Sequence, residues 1–297
     1  MGQGIVILNK VKRYLLAANT GAPGMSEEII NEAGEVLKEV LRKTFNEQRP
    51  SDFKLYFSNA GQPACQLVMA RDMAPKETFP YSFRMKMLIG EIVELLSRAI
   101  LKGSGVEIEK SHGRVELPIG PIKLRGKYDD KISGEIWDTK SSAGWTFRNK
   151  WAKGFDAISE DDTFGYCSQL YGYAEADKAK AGGWFVVSKE TGEWLAVEVP
   201  DTKAIRQKYV KKLEDNIVKV VDPDRPFTRE FTDYAETFRR KPTGNRILGF
   251  TCSMCDYKWS CWPGLQQKAS VMSEAQNAKE VYYTKLVTES KDEAPVV

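Results

Sequence analysis

The chain has 297 residues, of which 42% are hydrophobic and 29% charged, and a formal net charge of +3. That length supports one large domain or two small ones around a real core, and the composition is that of an ordinary globular protein. So small a charge does not establish a nucleic-acid partner, so any basic surface must be local; no apolar run approaches the ~20 residues of a bilayer span, which speaks against a membrane partner. The apolar Ile5–Leu8 stretch is soon broken by Lys10, Lys12 and Arg13, a poor signal peptide. The expected compartment is the cytoplasm (the host's, for a viral protein). In that reducing setting five cysteines suggest metal or redox chemistry before disulfides.

In chain order, Ile5, Leu8, Val11 and Leu15 recur at helical spacing over residues 4–17. After the break at Gly21–Gly24, Ser26 is a good N-cap, with Glu27 and Glu28 where the helix dipole favours acids. Ile29, Ala33, Val36, Val40 and Leu41 make a packing stripe running toward Phe45, and Pro50 marks the end of that helix. Residues 51–80 read as irregular. A strong helix follows from about Phe83 to Lys102, with Leu88, Ile92, Leu95, Leu96 and Ala99 as its buried stripe and Glu94 at the edge.

The stretch from Arg125 to Ser141 is the most informative. Ile122, Leu124 and Tyr128 lead into a turn at Ser133-Gly134, and Ile136 and Trp137 lead out, predicting a hairpin. Asp138 and Lys140, two apart on a strand, share a face, and hairpin pairing brings Asp129 near Asp138. Two carboxylates and an ammonium at one place suit a magnesium or manganese ion, with the lysine holding or activating a water. An exposed hairpin with solvated charges would carry the same residues. Beyond it, residues 144–163 read as a polar loop or broken helix. There Arg148, Lys150 and Lys153 lie among Trp145 and Trp151, a mixture suited to bases and phosphates. Gln169 and Tyr173 fall at i and i+4 on a helix over 163–178. Strands at 184–188 and 194–199 and a lysine-rich helix at 201–220 follow, the last containing Lys203–Lys212, a second candidate DNA path.

Near the C-terminus Cys252, Cys255 and Cys261 form a C-x2-C-x5-C run. Three thiolates are one short of a closed site. The fourth ligand would be Cys65 or Cys167 for an iron–sulfur cluster, which we prefer; zinc would tolerate the same trio, with His112 as the fourth.

Taken together, these separated pieces resemble the PD-(D/E)XK nucleases of the RecB-like branch, and within it the iron–sulfur exonucleases related to CRISPR-adaptation and phage recombination nucleases. Gly90-x-x-x-Glu94 is similar to the first motif, where many members have histidine in place of Glu94. Gly126-x-x-Asp129, Asp138-x-Lys140 and Gln169-x-x-x-Tyr173 are similar to the next three, and Cys65 with Cys252, Cys255 and Cys261 to the cluster ligands.

The resemblance runs from about Ser58 to Pro263. It implies an α/β, restriction-endonuclease-like fold: a mixed central sheet flanked by helices, with a [4Fe-4S] staple joining N- and C-terminal parts. The corresponding domains are an N-terminal helical region (1–50), a nuclease domain (51–265), and a C-terminal helix and flexible tail (266–297).

The implied activity is a metal-dependent deoxyribonuclease, an exonuclease working from DNA ends in recombination, repair or phage DNA processing. Glu94, Asp129, Asp138 and the Thr139 carbonyl would hold Mg2+ or Mn2+, Lys140 would orient water, and Gln169 and Tyr173 would position DNA or brace Lys140. Two alternatives stand beside it, a CRISPR-adaptation nuclease and a non-catalytic DNA-end-binding module of a helicase–nuclease assembly. The expected partner is single-stranded or end-containing duplex DNA, with a helicase, recombinase or single-strand-binding protein beside it. Cys167 has no counterpart in the pattern and is expected in the core.

Overall fold

The computed structural model describes residues 2–21, 24–47, 52–78, 80–273, 275–276 and 278–287. Helices α1 (Gln3–Ala18), α2 (Glu27–Phe45), α3 (Phe57–Ala60), α4 (Ala64–Arg71) and α5 (Tyr81–Gly103) come first. Strands β1 (Lys110–Ser111), β2 (Arg114–Ile119), β3 (Ile122–Lys127), β4 (Asp130–Ile132) and β5 (Glu135–Ser142) follow. Next are α6 (Gly144–Asn149), α7 (Phe155–Glu160), α8 (Tyr166–Ala176), β6 (Lys180–Ser188), β7 (Trp194–Glu198) and α9 (Lys203–Val221). The chain closes with β8 (Tyr234–Phe238), β9 (Lys241–Ile247), α10 (Phe250–Ser253), α11 (Lys258–Cys261), β10 (Gln266–Ala269) and β11 (Glu280–Lys285). No helix among the described residues is long and apolar enough to cross a membrane.

The chain forms two compact units. The first comprises Met1–Gln62 and Phe79–Asp222, the second Pro63–Thr78 and Pro223–Val297. These units do not follow the linear order of the expected 1–50, 51–265 and 266–297. Ile7 and Val11 of α1 share a core with Trp137, Phe185 and Leu101.

In the first unit a mixed five-stranded sheet runs β1-β4-β5-β6-β7. Only β5 and β6 pair in parallel; the other neighbours are antiparallel. Side chains alternate along each strand, so Ile136, Trp184 and Val186 enter one core with Leu170, Tyr171 and Leu213 from α8 and α9. Trp137, Phe185 and Val187 enter the other, beside α1 and α5. Trp137 stacks on Phe185 with centroids 4.5 Å apart. Gly182 permits it, since a Cβ there would stand 2.5 Å from the Trp137 ring.

Ser26 does cap α2, accepting the Ile29 N–H at 3.4 Å. Its stripe is shallower than expected: α2 buries no residue fully, and Leu41 and Phe45 are exposed. On α5, Leu96 is likewise exposed, while Arg98 is buried in its place. Pro50 lies outside the described residues.

The strand leading into the Ser133-Gly134 turn is not continuous. β3 pairs with β2 in a separate two-stranded ribbon, and only the short β4 pairs with β5. The break falls at Tyr128–Asp129. Residues 51–80, expected to be irregular, contain α3 and α4.

The second unit has an antiparallel sheet, β10-β11-β9-β8, with α4, α10 and α11. The C-terminal helix expected in 266–297 is absent among the described residues; 266–269 and 280–285 are paired strands. Gln-Gln-Lys-Ala has helical propensity, but sheet pairing overrides so weak a local preference. The expected tail beyond residue 287 lies outside the described residues.

Candidate active site

Ser133 and Gly134 adopt φ of 52° and 74°, both left-handed, the conformation of a two-residue hairpin turn matched to strand twist. This turn sets the register, with Asp130 opposite Trp137. The preceding residue, Asp129, therefore arrives beside Asp138, and its Oδ2 accepts the Thr139 N–H at 2.7 Å. Asp138 is 3% exposed. The Lys140 ammonium pairs with Asp138 Oδ2 and lies 5.2 Å from the centroid of the Tyr166 ring.

α5 supplies Glu94. Gly90 lies one turn earlier, where a Cβ would have only Ser141 Oγ nearby, at 3.6 Å. Glu94 Oε1 is 3.2 Å from His112 Nε2 and accepts Arg98 Nη2 at 3.1 Å. Arg98 also donates Nε to Asp130 Oδ1 at 2.9 Å, which accepts Ser111 Oγ at 2.7 Å as well. The His112 N–H reaches the Asp129 carbonyl at 2.7 Å, from a left-handed φ of 53°. His112 thus touches both Glu94 and the backbone of Asp129, and it lies in the first unit, apart from the cysteine trio in the chain's division.

Charge is concentrated here. Burial, then the neighbouring Asp138 and Glu94 carboxylates, push Asp129 well above the ordinary carboxylate range against the opposing Lys140. Burial also pushes Glu94 upward, but its His112 and Arg98 partners outweigh this and hold it at about 2. For Lys140, burial favours the neutral amine, yet Asp138 and Asp129 prevail and keep the ammonium. Lys140 is therefore an electrostatic group in this state rather than a base.

Gln169 Nε2 donates to the Tyr173 hydroxyl at 3.2 Å, as their i, i+4 spacing predicts. Tyr173 is buried, and burial raises its hydroxyl to about 12. Tyr166, one turn before Gln169, is the residue beneath Lys140. Sequence reasoning missed Tyr166 and Arg98, and offered His112 only as a zinc ligand rather than as a partner of Glu94. Only Arg98 carried a signal, as an i, i+4 partner of Glu94.

The donors suit a hard divalent cation in kind: all are oxygens, and they are mutually repelling carboxylates in a half-buried place. Asp138 Oδ2 is buried and makes no hydrogen bond beyond its ion pair with Lys140. Among the described residues, no three His, Cys, Asp or Glu side chains stand close enough to grip one ion as placed.

Within the second unit, Cys65 near the start of α4, Cys252 on α10, Cys255 and Cys261 at the end of α11 line one cavity with Phe231 and Trp262. Burial raises Cys65 to about 11 and Cys255 to about 12, and nearby thiols contribute to both. The four belong to two chain segments of one unit, so a group held by them would join those segments. The structure itself shows no iron–sulfur staple. Cys167 lies elsewhere, fully buried in the core of the first unit.

Of the basic candidates at 144–153, Lys150 is engaged with the carbonyl and carboxylate of Asp161, while Arg148 and Lys153 are exposed. A different basic surface adjoins Gln169 and Tyr173. It is a cleft of about 630 Å3 whose walls include Tyr56, Arg114, Arg125 and Lys127.

No protein-family model matches the chain, and no curated protein matches it. Among the solved structures that resemble it in part are the following two. SSO0001 has 15% sequence identity and a TM-score of 0.44, over 78% of this chain and 96% of that one. A Eubacterium rectale protein, solved under the name "Putative exonuclease", has 13% identity and a TM-score of 0.36, over 67% of this chain and 86% of that one.

Proposed function

We propose that the chain is a metal-dependent deoxyribonuclease that hydrolyses phosphodiester bonds from DNA ends. One observation carries the reading: Asp129 and Asp138 are brought together beside Lys140 at a half-buried site where their charges repel. Such a cluster is costly to keep unless a cation or a reacting phosphate uses it. Glu94, Asp129, Asp138 and the Thr139 carbonyl would hold Mg2+ or Mn2+, which supplies acidification of a bound water and charge neutralisation at phosphate. Lys140, fixed as an ammonium between Asp138 and the Tyr166 ring, stabilises negative charge developing on the phosphate. Gln169 and Tyr173, hydrogen-bonded to each other, position the substrate or brace Lys140. His112 and Arg98 hold Glu94 ionised and oriented.

The four-cysteine cavity supports a [4Fe-4S] cluster as a structural cofactor. Thiol is the right donor for it, and the four cysteines line one place. Digestion of end-labelled single- and double-stranded DNA with magnesium or manganese tests the function. The wild type should degrade from an end, and Lys140→Ala should lose about 10²–10⁴-fold. Equal digestion by both proteins, or none by either, rejects the reading.

A further inference from the structure

The β2–β3 ribbon has two chemically different faces. Val115 and Leu124 are buried in the core, while Arg114, Glu116, Arg125 and Lys127 point outward and are exposed. Register places Arg114 directly opposite Lys127, and Glu116 opposite Arg125. The second pair is satisfied, with Arg125 Nε 2.7 Å from Glu116 Oε1. The first is not: two like charges face each other across the strands, a destabilising pairing. Among the described residues neither Arg114 nor Lys127 makes an ion pair. An arrangement of this kind is relieved by an anion from outside the chain.

Both cations line the cleft, and two further groups there narrow the choice of anion. Tyr56 bridges to Arg125 and keeps an aromatic ring 44% exposed at the cleft wall, a platform for a planar group. Gln169 and Tyr173 also line it, and the Tyr173 hydroxyl feels the charges of Asp138, Lys140 and Asp129. The cleft thus joins an aromatic and basic wall to Gln169 and Tyr173, and through the Tyr173 hydroxyl it lies within the field of the carboxylate cluster. Its volume is that of a small-ligand site, which admits a nucleotide or two of one strand but not a duplex. A stacked base must also be unpaired.

We propose that this cleft is the path of a single polynucleotide strand. Arg114 and Lys127 take successive phosphates, Tyr56 stacks a base, and Gln169 and Tyr173 pass the strand to the carboxylates. The path rests on the nuclease reading for its destination, but its binding chemistry is separately testable.

The experiment is fluorescence anisotropy of labelled oligothymidylate, in chelator so that no cleavage occurs, across a salt series. The double variant Arg114→Ala, Lys127→Ala should flatten the log–log salt slope by about 1.4, at ~0.7 per phosphate contact. Tyr56→Ala should weaken binding about 5- to 150-fold with little change in slope. Lys123→Ala, exposed on the same ribbon but not on the cleft wall, should leave the slope unchanged. Matching circular dichroism and Tm confirm that each exposed substitution leaves the fold intact. An unchanged slope in the double variant, an equal loss from Lys123→Ala, or failure of the wild type to bind overturns the path. So does a loss confined to duplex DNA. Digestion by a wild type whose double variant keeps its slope leaves the nuclease reading standing without this path. The expected slope changes in a protein that never cleaves leave the path standing without that reading.

Discussion

Asp129 and Asp130 are adjacent in sequence, yet replacing each with asparagine should move stability in opposite directions. Asp129→Asn retains an oxygen to accept the Thr139 N–H and removes one of the repelling carboxylates. Two unit charges about 4 Å apart at an effective dielectric of about 20 interact by about 4 kcal/mol. Lys140 offsets much of this, and partial exposure screens more, so a net gain of about 1–2 kcal/mol is expected for the metal-free protein.

Asp130→Asn instead weakens a pair in which Arg98 is 6% and Asp130 2% exposed. Removing one partner of a buried pair costs about 3–5 kcal/mol. The amide still accepts one hydrogen bond and Glu94 still holds Arg98, so about 2–4 kcal/mol is expected. At about 2–4 °C per kcal/mol, Tm should rise by about 2–8 °C for Asp129→Asn and fall by about 4–16 °C for Asp130→Asn.

The sign of the pH dependence follows from Asp129. Its folded pKa lies above its unfolded value, so the native state holds its proton more tightly. Stability is then lost as pH rises from the unfolded value, near 3.9, toward the folded one. The advantage of Asp129→Asn should vanish in acid and open with rising pH. Differential scanning calorimetry in chelator, repeated with magnesium, is the assay. Magnesium should raise the wild-type Tm and narrow the gap, because only a ligand that binds the native state stabilises it. A lower Tm for Asp129→Asn at neutral pH in chelator would refute the claim that this carboxylate cluster is strained.

Other outcomes follow from single contacts. Cys65→Ser should lower bound iron and sulfide, the visible absorbance and stability as much as Cys255→Ser, while Cys167→Ser should keep the colour; stoichiometric zinc without sulfide would reject the cluster. At Gly126 a Cβ would lie 2.6 Å from Tyr173 and 2.7 Å from Phe57. Gly126→Ala should therefore cost about 1–3 kcal/mol by overpacking, read by urea unfolding, and an unchanged midpoint would show that these rings move freely.

The parts of the site set by short-range rules were legible in the sequence. Ser133-Gly134 announces its turn, period two puts Asp138 and Lys140 on one face, and i, i+4 spacing joins Gln169 to Tyr173. What escaped depends on distant partners. Nothing near Asp129 signals that the chain leaves one sheet for another there, because both strands have the same alternating pattern. His112 reaches Glu94, and Arg98 reaches Asp130, only once the α5–β1 connection and the sheet have formed. At 266–269 the partner strand decides the conformation, and that partner lies past a loop. The basic ribbon face was hidden by its mixed charges; only the register separates the satisfied Arg125–Glu116 pair from Arg114 and Lys127.

The second unit is assembled from two lengths of chain, Pro63–Thr78 and Pro223–Val297. During synthesis the first must wait for the second. Cys65 precedes Cys252 by 187 positions, which at about 5–20 residues per second is a delay of roughly 10–40 s. For that interval α4 lacks its partners, and Cys65 stands without the other three cysteines of its cavity. The intervening residues 79–222 complete the first unit's sheet meanwhile. A ligand requiring all four thiols can be loaded only after the last has emerged, so its insertion would follow the folding of the first unit's sheet. A chain truncated before Cys252 would carry the complete carboxylate site and no means of finishing the other unit.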